Sequence, residues 1–164
     1  MKMERVEISG FGKLRDVSID LSDKSSIILF YGRNEAGKST MMQFIRAMLF
    51  GFPSRSQLSQ RYEPEAGGAH GGALTIRAMD GRVIRLERYN TTDASGKRPS
   101  AGVPVITLAD GTRGGEELLP LIIGDLTPEL FRQLFAFGLD ELQEIRSLHS
   151  DEISAYLFST GYGL

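Results

Sequence analysis

The feature that most constrains this chain is a glycine-rich segment, residues 32–40, which reads GRNEAGKST. It matches the pattern G-x-x-x-x-G-K-[ST], in which glycines allow successive backbone N–H groups to converge on phosphate oxygens. In this pattern Lys38 reaches the β- and γ-phosphates, and the Ser39 hydroxyl ligates magnesium. The helix that follows directs the positive end of its dipole at the same charge. The segment therefore predicts a phosphate-binding loop, or P-loop.

The sequence on either side of the loop has the character that a P-loop requires. Residues 26–31, SIILFY, form a short apolar run typical of a central parallel strand that is buried on both faces. After the loop, apolar residues recur at helical spacing until Gly51 and Pro53 end the pattern. The sequence therefore predicts a strand before the loop and a helix that begins within it.

Composition limits the class of protein. With 164 residues, 41% of them hydrophobic and 24% charged, the chain has the composition of one soluble domain or most of one. No apolar run has the length of a membrane span, and the absence of cysteine fits a reducing, cytoplasmic location. The net charge of −2 gives no global attraction to nucleic acid. His70 has no second ligand at metal spacing, so we expect no zinc site.

Alternating polar and apolar residues predict two hairpins and a further strand. Residues 3–9 and 14–21 alternate on either side of a turn at residues 10–13. Residues 73–78 and 82–89 flank an Asp-Gly pair, which is a strong hairpin signal. Residues 103–108 predict another strand, followed by an Asp-Gly turn.

From residue 115 the pattern becomes helical. Residues 116–123 predict a short helix in spite of Pro120, and Thr127 is placed as the N-cap of the next helix, with a proline directly after it. The apolar run at residues 121–125 ends in an acid, as a Walker B strand does, but its glycine and the following Thr-Pro favour a turn between helices.

Together these patterns predict an α/β P-loop fold with a mixed β-sheet around the P-loop helix. We divide the chain into a nucleotide-binding lobe with β-hairpins, residues 1–114, and a helical subdomain, residues 115–164.

Four segments carry a resemblance to a known family: residues 10–14, residues 31–40 continued by 44–53, residues 61–72 and residues 130–143. They resemble the N-terminal lobe of the ATPase head of SMC and double-strand-break-repair proteins of the ABC class, and in particular the bacterial YhaN family of long coiled-coil ATPases. The Asn34-Glu35-Ala36 interior of the loop is the most specific of these marks. The resemblance implies an AAA-type, SMC-like ATPase that binds ATP and Mg²⁺ and couples ATP hydrolysis to DNA processing or repair.

The resemblance also implies roles for individual residues. The triphosphate would be held by the loop and the start of its helix, namely Gly32, Arg33, Asn34, Glu35, Ala36, Gly37, Lys38, Ser39 and Thr40, with Ser39 on magnesium and Thr40 supporting the α- or β-phosphate. Lys13 resembles a position that lies along the nucleotide. Arg61 resembles a positive residue that approaches phosphates or DNA, and the alternative is a solvated loop arginine.

Asp140 and Gln143 are candidates for the task of the Q-loop glutamine, which senses the γ-phosphate and magnesium in ABC ATPases. The alternative is structural, because their spacing is also that of a helix capping box. We assign no catalytic residue within this sequence.

Motifs that such a head also needs do not occur here: a Walker B acid pair, a signature helix and a switch histidine. We therefore expect an N-terminal lobe cut before a coiled coil, which by itself binds ATP–Mg²⁺ weakly and hydrolyses it negligibly. The partners implied are the C-terminal lobe of the same protein, a second head in an ATP-dependent dimer, DNA and a nuclease subunit, with no membrane.

Two other functions remain as alternatives to an SMC-like head. The first is a P-loop kinase or GTPase, although the guanine-reading N-K-x-D is missing. A nucleotide-regulated binding module without catalysis is the second.

Overall fold

A computed structural model describes residues 2–22, 27–78 and 80–134. The chain divides into two compact units, residues 1–124 and 125–164. The division falls after Gly124, later than the predicted boundary at residue 114, and the functional division at residue 114 stays a prediction.

The first unit is built on a six-stranded sheet of order β2-β1-β3-β4-β5-β6, in which every pairing is antiparallel. Its strands are β1 (Lys2–Phe11), β2 (Leu14–Asp20), β3 (Gly71–Arg77), β4 (Val83–Tyr89), β5 (Val103–Thr107) and β6 (Arg113–Gly114). Its helices are α1 (Lys38–Phe50), α2 (Leu58–Arg61), a 3₁₀ turn (Glu116–Leu118) and α3 (Pro120–Ile123).

The hairpins form where alternation and turn chemistry predict them. The β1–β2 turn is at Gly12 and Lys13, and β3 pairs with β4 around Asp80-Gly81, where Gly81 has a φ of 85°. Residues 103–107 form the predicted further strand, β5. Period-two alternation is clearest in β4 and β5, where buried residues alternate with more exposed ones.

The core lies between α1 and one face of the sheet. Alternate residues of β1, β3, β4 and β5 are almost fully buried there: Val6, Ile8, Leu74, Ile76, Ile84, Leu86 and Ile106. From α1 come Phe44, Met48 and Leu49, each at most 1% exposed. Burial of one such side chain is worth about 1.5–3 kcal/mol, so this contact fixes α1, and with it the loop that precedes it.

The predicted strand at residues 26–31 is not formed in the described residues. Residues 27–31 are irregular, and Ile27, Leu29 and Tyr31 are between 85% and 92% exposed. An apolar run of this kind needs a hydrogen-bonded neighbour and a cover on each face. The described residues supply neither, and the parallel pairing that a mixed sheet requires is not found among them.

The helical predictions near residue 120 are confirmed. Pro120 opens α3 at its first position, where its missing N–H costs nothing, and Gly124 ends the helix. The apolar part of this run, residues 121–123, is therefore helical, residues 124 and 125 form a turn, and the run is not a strand of the Walker B kind.

In the described part of the second unit, α4 spans Pro128–Leu134. The Leu130 N–H donates to the Thr127 hydroxyl at 3.2 Å, so Thr127 is the predicted cap. Asp140, Gln143 and the helices predicted beyond residue 134 lie outside the described residues. None of the helices described is both long enough and apolar enough to cross a membrane.

Candidate phosphate-binding site

The loop before α1 is a tight turn with two left-handed residues. The Ala36 N–H donates to the Arg33 carbonyl at 3.2 Å, and φ is 67° at Glu35 and 96° at Gly37. Position 37 requires glycine for that backbone conformation, and a Cβ there would also lie 2.8 Å from Leu14 Cδ2. The β1–β2 hairpin therefore packs directly against the loop.

Two lysines donate to the backbone of this loop. The Lys38 ammonium donates to the carbonyls of Gly32, at 2.7 Å, and Arg33, at 2.8 Å. The Lys13 ammonium donates to the carbonyl of Glu35. Both side chains are exposed, and these acceptors are neutral. Because a charged oxygen accepts a stronger hydrogen bond than a carbonyl does, a phosphate could replace these acceptors.

The N-terminus of α1 is open to an anion. Its N-cap, Gly37, makes no side-chain capping bond, and the first turn holds no acidic residue. The first N–H groups of a helix have no partner within the helix, and the dipole adds partial positive charge there. Ser39 is exposed beside these groups, whereas Thr40 is buried.

Aromatic packing holds the middle of α1 against the sheet. The Phe44 ring lies over Gly72, where a Cβ would come within 2.9 Å of Phe44 Cζ. It also meets the Phe11 ring edge to face, with centroids 5.5 Å apart. The absence of a side chain at Gly72 therefore lets α1 approach β3 closely.

A buried arginine closes the other end of α1. Arg88, which is 1% exposed, donates from Nε to the Met48 carbonyl at 3.0 Å and from Nη1 to the Ala101 carbonyl at 3.3 Å and the Glu116 carboxylate at 3.0 Å. The Met48 carbonyl belongs to the last turn of α1, whose carbonyls lack helical donors. Burial lowers the pKa of Arg88, and the Glu116 carboxylate partly opposes this.

Arg61 is buried completely. Its guanidinium donates to the carbonyls of Pro53 and Ser100, the second at 2.8 Å, and pairs with Glu63 at 3.1 Å. It also lies 5.9 Å from the centroid of the Phe52 ring. The alternative of a solvated loop arginine is therefore wrong. Contact of Arg61 with phosphate or DNA stays a prediction, and it would require the guanidinium to leave these partners.

His70 stacks on Phe52 with ring centroids 4.3 Å apart and lies 5.6 Å from Phe11. Within the described ranges, neither ring nitrogen has a hydrogen-bond partner. Burial lowers the pKa of His70, which the Glu63 carboxylate opposes and the Arg61 guanidinium reinforces. The residue is therefore held as neutral imidazole within an aromatic cluster.

The β1–β2 turn joins the loop to the segment after α2. The Gly12 N–H donates to the Tyr62 carbonyl at 2.6 Å, and the Glu65 N–H donates to the Gly12 carbonyl at 3.1 Å. A Cβ at Gly12 would lie 3.2 Å from Tyr62 Cδ1 and 3.3 Å from Thr40 Cγ2. Tyr62 and the first turn of α1 therefore contact the same glycine.

The structure brings most of the predicted site residues together. Lys13 meets residues 32–40, whereas the Arg61 guanidinium is directed to the carbonyls at Pro53 and Ser100. Asp140 and Gln143 lie outside the described residues. Three contributors were not predicted from the sequence: Leu14, Tyr62 and Arg88.

One available signal for Tyr62 was its place directly after Arg61 in a segment that carries the family resemblance. For Arg88, the signal was its phase in β4, which it shares with Ile84 and Leu86.

The comparisons with known proteins cover the whole chain. The model of a family described as "AAA domain" matches residues 1–164. The chain is 33% identical over 164 residues to YhaN of Bacillus subtilis (strain 168), which is described as an uncharacterized protein. The alignment covers 99% of this chain and 16% of YhaN, so the chain spans only a small part of this relative's length.

Proposed function

Because the chain belongs to the AAA domain family, whose members are ATPase-like nucleotide-binding modules, we propose that residues 32–40 bind ATP with Mg²⁺. The observation that carries the proposal is the position of Lys38, whose ammonium lies on the loop's own carbonyls next to the uncapped N-terminus of α1. These groups fit a triphosphate, since they offer a cation, the N–H donors of the first helical turn and an exposed hydroxyl at one place.

In this proposal Lys38 contacts the β- and γ-phosphates, and Ser39 ligates magnesium. Thr40 supports the α- or β-phosphate. Lys13, already in contact with the Glu35 carbonyl, lies along the nucleotide. Bound magnesium would neutralise phosphate charge, while the chain's own residues hold and orient the nucleotide.

The wider role that we propose is that of an ATP-binding lobe in an SMC-like head. ATP binding would join two heads, and hydrolysis would drive DNA processing or repair through coiled coils and a nuclease subunit. The support is the family resemblance of the four segments named above and the similarity to YhaN. Hydrolysis would depend on groups supplied by a C-terminal lobe and by the second head, while Asp140 and Gln143 remain candidates for sensing the γ-phosphate.

The exposed apolar run at residues 27–31 supports a partner lobe. Five successive large apolar residues, Ile27, Ile28, Leu29, Phe30 and Tyr31, are all more than 40% exposed directly before the P-loop. A continuous exposed apolar segment marks an interaction surface. We propose that this run becomes a strand when the C-terminal lobe of the longer protein pairs with it.

Calorimetric titration of the chain with ATP and Mg²⁺ tests the nucleotide site. We expect saturable binding that weakens about 10- to 150-fold in Lys38→Ala, because hydrogen bonds to charged groups contribute about 1.5–3 kcal/mol. Lys97→Ala is the matched control, since Lys97 is an exposed lysine in the connection between β4 and β5. Equal affinity of the Lys38→Ala and Lys97→Ala chains would exclude the proposed site.

Phosphate release by the same chains tests the dependence on partner groups. We expect negligible turnover by the chain alone. Robust turnover that is abolished by Lys38→Ala would show instead that the chain carries its own water-activating group.

A further inference from the structure

Tyr62 is held in an unusual position next to the proposed site. It ends α2 with a φ of 51°, a left-handed backbone conformation that residues other than glycine rarely adopt. Its carbonyl accepts the 2.6 Å hydrogen bond from Gly12, which ties it to the β1–β2 turn. A backbone conformation of this kind persists only where the surroundings fix it, and such positions cluster at ligand sites.

The aromatic ring of Tyr62 lies close to the first turn of α1. The Cβ position at Gly12 is 3.2 Å from Tyr62 Cδ1 and 3.3 Å from Thr40 Cγ2. Gly12 has no side chain between them, and Lys13, the next residue, contacts the P-loop. Tyr62 is therefore a partly exposed aromatic residue that contacts the β1–β2 turn close to the proposed phosphate contacts.

The ring is also supported from behind. It stacks on Phe11, with centroids 5.2 Å apart and an angle of 12° between the planes, and Phe11 is fully buried. Tyr62 itself is only half-buried. A partly exposed ring that is backed by a buried one is a rigid surface for another planar group.

We infer that Tyr62 is the stacking platform for the base of the nucleotide whose phosphates bind at residues 32–40. The inference rests on the proposed nucleotide function. Every base has a π-face, so a tyrosine ring stabilises a base without reading its edge, and it favours the larger purines. Lys38 and the loop would then bind the phosphates, while Tyr62 would contribute affinity that depends on the base.

Two substitutions separate stacking from packing. Tyr62→Phe and Tyr62→Leu both remove the hydroxyl and keep an apolar side chain against Phe11, but only phenylalanine keeps the aromatic face. Each variant is titrated with ATP and with inorganic tripolyphosphate, both with Mg²⁺. We expect Tyr62→Leu to bind ATP about tenfold more weakly than Tyr62→Phe, because stacking contributes this order of affinity for each base. We expect the two variants to bind tripolyphosphate equally.

The outcomes distinguish this inference from the proposed function. Binding of neither ligand by the unsubstituted chain overturns both. Equal ATP affinity of the two variants, or parallel losses for ATP and tripolyphosphate in Tyr62→Leu, overturns the role of Tyr62 and leaves the phosphate site in place.

A spectroscopic readout follows from the composition, since the chain has no tryptophan. Tyr62→Trp places a single indole at the platform. We expect ATP to quench its fluorescence and tripolyphosphate to leave it unchanged. An emission that does not respond to saturating ATP would overturn the inference, because stacking on a base would alter the environment of the indole.

Discussion

The two ends of α1 differ in how their polar groups are satisfied. At the N-terminus, the charged groups of Lys13 and Lys38 are exposed and rest on neutral backbone carbonyls, and no side chain caps the helix. At the C-terminus, the buried Arg88 binds the Met48 carbonyl and joins it to Ala101 and Glu116. One end therefore has hydrogen-bonding capacity available for a ligand, and the other end uses its capacity within the fold.

The positive charges at the two ends of α1 therefore differ in what they contribute to the protein. An exposed cation with weak acceptors contributes little to stability and is available for binding. A buried guanidinium that satisfies helix carbonyls contributes mainly to stability, because removing it leaves acceptors without donors. Removing a charge at the N-terminal end of α1 should thus change the affinity for a phosphate ligand. Removing the charge at the C-terminal end should change the free energy of unfolding.

Among substitutions at the two ends of α1, the largest effect on stability is expected from Arg88→Met. The substitution keeps an apolar stem in the core but removes the donor to the Met48 carbonyl, whereas the Ala101 carbonyl keeps the Phe52 N–H at 3.0 Å. We expect a loss of about 1–3 kcal/mol in the free energy of unfolding, since a buried acceptor left unsatisfied costs about that much. Urea denaturation measures the loss.

Arg82→Met is the matched control for this change. Arg82 pairs with Asp80 at the surface, with its side chain 58% exposed, so its removal should alter stability by at most about 0.5 kcal/mol. Similar losses in the two variants would mean that the C-terminal end of α1 does not depend on a buried charge.

Arg88 also marks a limit of prediction from sequence. The alternation of residues 82–89 predicts β4, and in that strand Arg88 shares a face with Ile84 and Leu86. Whether an arginine can remain on that face depends on acceptors from distant segments, here Met48 and Ala101. No local pattern predicts that those carbonyls will be in place.

At residues 27–31, by contrast, the local pattern predicts a strand that the structure does not form. Their composition predicts a buried strand, yet the described residues leave them exposed and irregular. A strand needs a partner, and the identity of that partner is not encoded in the run itself. The turn of the loop, by contrast, was predictable from local chemistry, because the left-handed backbone at Gly37 requires glycine. Contact of Lys38 with phosphate stays a prediction.

His70, beside the enclosed end of α1, gives a pH-dependent test. Burial lowers its pKa in the folded chain, so the unfolded chain binds the proton more readily. The resulting stability is present above the unfolded pKa of about 6.5 and is lost as the pH falls below it toward the folded pKa. We expect the chain to lose stability between pH 7.5 and pH 5.5, as measured by urea denaturation.

His70→Phe isolates this contribution, because it retains stacking on Phe52 and removes the titrating group. The variant should lose less stability than the parent chain over the same pH interval. Equal losses would assign the effect to other groups and would show that the aromatic cluster tolerates imidazolium.

The smallest effect on stability is expected at the open end, from Leu29→Asp. Leu29 is 85% exposed and belongs to no strand, so the free energy of unfolding should change by no more than about 0.5 kcal/mol. Light scattering should show reduced self-association, since a charge interrupts the exposed apolar run.

Leu86→Asp, at a fully buried position of β4, should instead prevent folding, because an unpaired carboxylate would enter the core. A loss above about 1 kcal/mol in Leu29→Asp would show that the run packs within this chain, and the contrast between the two ends of α1 would then rest on the lysines alone.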